Sequence, residues 1–231
     1  MKKGCPVCID ENTITFSENF LRSEYNAKLD KAEAVGATRL YKCADCNSDF
    51  YKEKSMYHKL TERSKQVLIA FFKRDLVLNK MFKDQASQIG ITENYNGDKL
   101  IPAKIELNNG VVHEIARIQL SKNPPMEFDF DSFESIVYMD EVKSISSSDF
   151  ALSKEIREES KNADELRMGF YPTVLKTTDN RKVVINSLAL FFDSHQIKGS
   201  DLELANETFD FTNDQYIYEA LLKEVLVIAR E

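Results

Sequence analysis

The sequence predicts an α+β fold: a small cysteine-paired module first, a connecting helix next, then a mainly antiparallel sheet with helices packed on it. Three observations predict it. Four cysteines in 231 residues form two close pairs, both before residue 47. A broad apolar face at helical spacing runs from Val67 to Met81. Beyond Gly97 short apolar runs are broken by Asn-Gly and Asp-Asn, the punctuation of hairpins. The expected divisions are residues 1–56, 57–96 and 97–231. A hydrophobic content of 42% with 10% aromatics excludes general disorder, and seven glycines with five prolines exclude a collagen-like or linker-dominated chain.

The first module rests on Cys5-Pro6-Val7-Cys8 and Cys43-Ala44-Asp45-Cys46. Two residues between paired cysteines let the backbone fold into a knuckle around one metal, and two knuckles make a closed tetrahedral thiolate site for structural zinc. Two disulfides would need an oxidising compartment. A redox pair would sit where a strand passes into a helix within a βαβ unit, and neither pair does. The expected ligands are therefore Cys5, Cys8, Cys43 and Cys46, with no open coordination position. Around them, Thr13–Phe16 and Thr38–Tyr41 read as strands and a third begins at Phe50. Glu18 to Ala34 reads as a helix or a long excursion. Residues 1–51 resemble the zinc ribbons of many nucleic-acid and transcription proteins, and in their place along the chain the zinc domain of MqsA-type antitoxins. The resemblance implies the four thiolate ligands alone, since those antitoxins continue into a helix-turn-helix domain with no convincing counterpart here.

Charge is segregated. Residues 52–83 carry nine basic and three acidic side chains, whereas residues 84–231 carry fifteen basic and twenty-seven acidic. A basic middle beside an acidic remainder suggests different partners for the two, or a contact between them. The basic stretch reads mostly as one helix, N-capped at Thr61, with Lys65, Lys73, Arg74, Lys80 and Lys83 outside its apolar face. Those lysines are the solvated side of a core helix or, alternatively, a phosphate-contacting surface beside the ribbon.

After Gly97 a strong hairpin is expected from Lys104 through Asn108-Asn109-Gly110 to Leu120, and a second from Thr173 through Asp179-Asn180 to Phe192. The two match at an offset of 70 positions, as in Pro102/Pro172, Ile105/Leu175, Ile115/Ile185, Ile118/Leu188 and Leu120/Leu190. Convergence on a common hairpin pattern explains this, and a duplicated αβ unit explains it as well. Between them Ser135–Val142 reads as a strand and Asp149–Met168 as a charged helix. Asp214–Arg230 reads as a closing helix, with Ile217, Leu221, Val225 and Ile228 on one face.

Catalytic chemistry is sparse. There are three histidines, His58, His113 and His195, and no nucleophile elbow or glycine-rich phosphate loop. An HNH nuclease would need histidines with its cysteine knuckles, and none lies between Cys8 and Cys43. Glu141-Val142-Lys143 at a strand end resembles the second half of a PD-(D/E)xK nuclease motif, with Asp129 or Asp131 as the first carboxylate. The same acid-x-lysine triplet recurs at Glu159-Ser160-Lys161, as chance would produce.

The expectation is a non-enzymatic cytoplasmic protein, stapled by zinc, whose acidic α+β part binds a basic protein partner. The antitoxin, immunity and phage–host conflict proteins have this character. The acidic clusters at Glu127–Glu141, including Asp129, Asp131 and Glu134, and at Glu155–Glu165 are its candidate faces. The first alternative is a nucleic-acid-binding regulator using the ribbon and residues 52–83, and the second is the metal-dependent nuclease. No apolar run approaches the ~18–20 residues that span a bilayer, so no membrane is expected.

Overall fold

The computed structural model describes residues 14–20, 38–43, 46–53, 56–93, 97–122, 130–187, 189–213, 215–218 and 222–231. The chain divides into two compact units, residues 1–74 with 124–130 and residues 75–123 with 131–231. Helices and sheets coexist in an α+β arrangement.

In the first unit β1 (Ile14–Phe20), β2 (Thr38–Cys43), β3 (Asp49–Glu53) and β4 (Met56–Lys59) form an antiparallel meander in chain order. The three expected strands are there, but β1 runs on to Phe20, past Glu18 where a helix or excursion is expected to begin; residues 21–34 of that expectation lie outside the described residues. Helix α1 (Glu62–Lys73) follows, and Thr61 is its N-cap, its side chain accepting from Ser64 N at 3.1 Å. Leu60 and Leu68 pack with Ile69 and Phe72. Lys65 Nζ reaches Asp49 Oδ2 at 2.9 Å and ties the helix to the sheet.

The basic stretch is two helices rather than one. Backbone at Arg74 is extended, and α2 (Lys80–Ile89) starts afresh in the second unit, capped by Asn79 Oδ1 accepting from Phe82 N at 2.9 Å. The interruption contains Leu76-Val77-Leu78, which pairs elsewhere: Arg230 N donates to Leu76 O, and Val77 bridges Arg230 in parallel. A backbone offered ladder partners need not stay helical.

The second unit continues with β5 (Thr92–Glu93), β6 (Lys99–Leu107), β7 (Val112–Ser121), β8 (Ser135–Tyr138), β9 (Val142–Ser146), α3 (Lys154–Ser160), β10 (Pro172–Thr177), β11 (Lys182–Asn186), β12 (Asp193–Ser194), β13 (Ile197–Lys198), β14 (Leu202–Leu204), β15 (Ile217–Tyr218) and β16 (Val225–Arg230). The first sheet runs β5-β6-β7-β16-β8, with β9 on the same edge of β6 as β5. The second runs β14-β10-β11-β15, and β12 with β13 makes a separate two-stranded hairpin.

Two expected helices differ. Asp149–Met168 contracts to α3, ending at Ser160. Among the described residues of the expected closing helix over 214–230, Ile217–Tyr218 and Val225–Arg230 are strands: β16 lies between β7 and β8, parallel to both, and every one of its residues is buried. Val225-Leu226-Val227-Ile228-Ala229 is apolar on both faces, which is what a central parallel strand needs. The spacing of Ile217, Leu221, Val225 and Ile228 matched a helix by coincidence. The expected strand over 135–142 is interrupted by a 3-10 turn at Met139–Glu141.

The two hairpins are built alike. Leu107 N donates to Val111 O and Gly110 N to Leu107 O; at an offset of 70, Thr177 N donates to Arg181 O and Asn180 N to Thr177 O. Gly110 and Asn180 hold the matching positive φ, 86° and 62°. Ile105 faces His113 as Leu175 faces Val183. The likeness extends beyond the turns. After β8 and after β13 the chain makes a 3-10 turn, at Met139–Glu141 and Gly199–Asp201. In each an acid closes the turn: Tyr138 N donates to Glu141 Oε2 at 2.8 Å, and Lys198 N to Asp201 Oδ2 at 2.9 Å. The next strand then pairs antiparallel to the first hairpin strand, Leu107 with Val142 and Thr177 with Leu202. A parallel strand follows on the other side of each hairpin, β16 on β7 and β15 on β11.

Leu152 and Ile156 of the α3 region pack on Leu175, Val183, Ile185, Phe192, Ile197 and Leu202. Leu100, Leu190 and Phe191 join the sheets, with Ile115, Phe150, Ala151 and Leu222 against them. Arg157, 1% exposed, bolts α3 to the end of α2: it donates to Ile89 O, Gly90 O and Leu152 O, and to Thr92 Oγ1 at 2.6 Å. Burial pushes its guanidinium down to about 10, still well above neutrality.

Candidate metal centre and partner surface

Cys43 is the last residue of β2 and is fully buried; Cys46 lies on the following turn and is partly covered. Cys43 N donates to Ser48 O and Asn47 N to Cys43 O, both at 3.0 Å, with Asn47 at φ 56°. This tight return from β2 to β3 holds both cysteines on one short loop, as a thiolate pair on a single metal requires. Cys5 and Cys8 lie outside the described residues. Among the described residues no three His, Cys, Asp or Glu side chains gather as a metal site. Only two of the four expected ligands are among them.

The candidate nuclease residues have other occupations. The Glu141 carboxylate closes its own 3-10 turn, as Asp201 does in the second sheet. Lys143 Nζ pairs with Glu106 Oε1 at 2.7 Å, and Lys143 holds the Glu106 carboxyl below its usual range. Asp129 and the side chain of Asp131 are outside what is described. His113 stands within β7, and His195 in the turn between β12 and β13. In the expected acidic faces, Glu134 N donates to Glu224 O, Glu158 pairs with Lys161 at 3.2 Å, and Glu165 Oε1 accepts from Gly169 N at 2.7 Å.

A surface that the sequence reading did not single out lies at the second sheet. Phe209 is its centre: Phe170 meets it edge-on at 5.4 Å, Phe211 edge-on at 5.0 Å, and Tyr216 stacks on it at 5.2 Å. Tyr218 continues the series, 6.5 Å from Tyr216. Val174, Val184 and Tyr216 form the buried floor, with Ala205 against them. The outer members stay in water: Phe211 is 61% and Tyr218 51% exposed. Arg167 lies over the Phe170 ring at 5.0 Å, so one cation already uses the face of this cluster. Met168, 98% exposed, sits at the tip of the adjoining turn, which Asn186 anchors through Gly169 O and Tyr171 N.

The chain around this cluster is acidic. From Gly199 to Leu222 the sequence has six acidic residues and no lysine, arginine or histidine. Glu207 is paired with Lys182. Thr212 donates to the Asp210 carboxylate through its backbone N and its hydroxyl, holding that carboxyl below its usual range and so ionised. Exposed aromatic rings clustered over a packed floor are the composition of interface centres. The signal was present in the sequence as Phe209, Phe211, Tyr216 and Tyr218, but reading 214–230 as a helix split it. No described helix is long and apolar enough to cross a membrane. No family model matches the chain, and no curated protein or solved structure matches it significantly.

Proposed function

We propose that the chain is a non-enzymatic cytoplasmic binding protein, with an N-terminal ribbon stapled by zinc on Cys5, Cys8, Cys43 and Cys46. Its α+β unit grips a basic protein partner, in the manner of antitoxin, immunity and phage–host conflict proteins. The observation that carries this reading is the exposed aromatic cluster of Phe209, Phe211 and Tyr218 within a stretch that has no cation of its own. Aromatic rings supply contact area and attract cations to their faces, while fixed carboxylates speed the approach of a basic surface. The zinc has a structural part only; it holds a short ribbon that is too small to fold on its own apolar core.

Two measurements test the proposal. Metal analysis of the purified chain is expected to find one zinc, lost in Cys43→Ser and in Cys5→Ser with exposure of the N-terminal region to protease. Four oxidised cysteines without zinc would refute the ribbon. Affinity capture on the immobilised chain, repeated with Phe211→Ala plus Tyr218→Ala, is expected to recover a basic protein that the double variant loses. Its association should slow as salt rises. Salt-sensitive retention of nucleic acid in place of a protein would move the assignment to residues 52–83.

A further inference from the structure

The likeness of the two sheets exposes one place where they part. In the first, β8 lies along the outer edge of the parallel strand β16 as a further parallel strand, Val225–Ile228 against Ser135–Tyr138. In the second, the strand in the same position of the unit, β13, is diverted into the hairpin with β12, Ser194 against Ile197. His195 and Gln196 make that turn, both at positive φ, 51° and 66°. Gly199 then passes so close to Phe150 and Ala151 that a Cβ there would stand 2.2 Å from Phe150 O. The chain is thus held away from the place beside β15. Among the described residues β15 is the last strand of its sheet, and Tyr218 on it is half exposed.

We propose that the outer edge of β15 receives an extended, lysine- or arginine-bearing segment of the partner protein as an added strand. This rests on the partner-binding reading above and names its mode. Strand addition supplies affinity through backbone hydrogen bonds and specificity through alternate side chains. Here one row of the added strand meets Tyr218 and the aromatic cluster, where cationic side chains lie over exposed rings as Arg167 lies over Phe170. The carboxylate of Asp210, on the loop leading into β15, and the absence of any cation from Gly199 to Leu222 select a basic segment over an acidic one.

The probe is a synthetic peptide of alternating lysine and valine, compared with the same peptide N-methylated at alternate backbone positions. Both are titrated against the full chain, with hydrogen exchange read at Ile217 and Tyr218. The expected result is binding by the parent peptide with slowed exchange at whichever of those two amides faces away from β11, since successive amides of a strand point to opposite edges. N-methylation removes backbone donors while keeping charge and side chains, and should weaken binding by about tenfold or more. Equal binding of both peptides, abolished by Phe211→Ala with Tyr218→Ala, would overturn strand addition while leaving the aromatic surface as a side-chain docking site. Binding that survives that double variant, or no change in exchange at Ile217 and Tyr218, would overturn it too. Capture of the basic partner as described above is read separately, so failure of the peptide and failure of the partner reading remain distinct.

Discussion

In the first sheet the parallel fourth strand, β16, has six residues, all of them buried; in the second its counterpart, β15, has two, and Tyr218 is half exposed. Much around these strands is shared: the same four-residue connection in the hairpin, the same acid-closed 3-10 turn, the same antiparallel strand on the far side; only β16 has a further strand, β8, on its outer edge. The difference teaches that one backbone plan can serve a core when its closing strand is covered and an interface when it is left at the edge. Apolar residues on both faces of β16 make it structural. Rings on β15 and on the loop before it keep apolar surface in contact with water, which a purely structural strand would not do.

The sharpest way to break the comparison is at the first residue of the 3-10 turn. The first sheet accepts Met139 there, buried at 2% exposure, whereas the second has Gly199 against the backbone of Phe150 and Ala151. Gly199→Ala is expected to destabilise the protein by about 3 kcal/mol or more, because the new methyl meets backbone that cannot swing aside. Urea unfolding measures it, and a loss under about 1 kcal/mol would mean that the contact relaxes freely.

Next in size is the contrast of the two closing strands. Leu226→Ala in β16 is expected to cost about 3 kcal/mol, from lost burial and a cavity, and Ile217→Ala in β15 about 1 kcal/mol. Equal losses would show that β15 is as structural as β16. A smaller gain is expected at the turn joining β12 and β13. Replacing His195 with Asn and Gln196 with Gly gives residues that prefer positive φ, and should stabilise by about 0.5–1 kcal/mol in thermal melts.

The smallest effect concerns pH and separates the two hairpin turns. Asn109 Oδ1 accepts from Val111 N in the first, while in the second the equivalent Asp179 is bonded by Thr177 and Arg181. The Thr177 hydroxyl and then Arg181 hold the Asp179 carboxyl below its usual range. A carboxylate with a lowered native pKa stabilises above its unfolded value, and that contribution disappears as pH falls below about 4 and through the native value. Protection of the Thr177 and Arg181 amides, measured against the intrinsic exchange rate at each pH, should therefore fall at low pH while that of Leu107 and Val111 does not. Asp179→Asn should remove the difference; its persistence would place the titration elsewhere.

What the sequence disclosed follows from the range of the forces involved. The hairpins were legible because Asn109-Gly110 and Asp179-Asn180 encode their turns locally, although the second arm of the latter, expected to reach Phe192, ends at Asn186. Thr61 was legible as a cap for the same reason, whereas Asn79, an equally local signal, was hidden inside an assumed continuous helix. β16 was illegible because its partners β7 and β8 are remote in sequence, and no local pattern announces a parallel neighbour. Of the candidate site, spacing alone expects two thiol pairs, of which Cys43 and Cys46 stand on one short loop among the described residues. The aromatic surface was not, since Phe170 meets Phe209 only after the second sheet has formed.

The placement of β16 also bears on how the molecule is made. β7 ends at Ser121 and its parallel partner begins at Val225, so the first sheet cannot close until the whole second sheet has been synthesised. Contacts between such distant segments form slowly, and the interval leaves an apolar strand edge on β7 available to the wrong neighbour. β8 and β15, both of parallel type, emerge before β16 and can reach that edge first. Their lengths, four and two residues against six, leave β7 to the longer strand that follows.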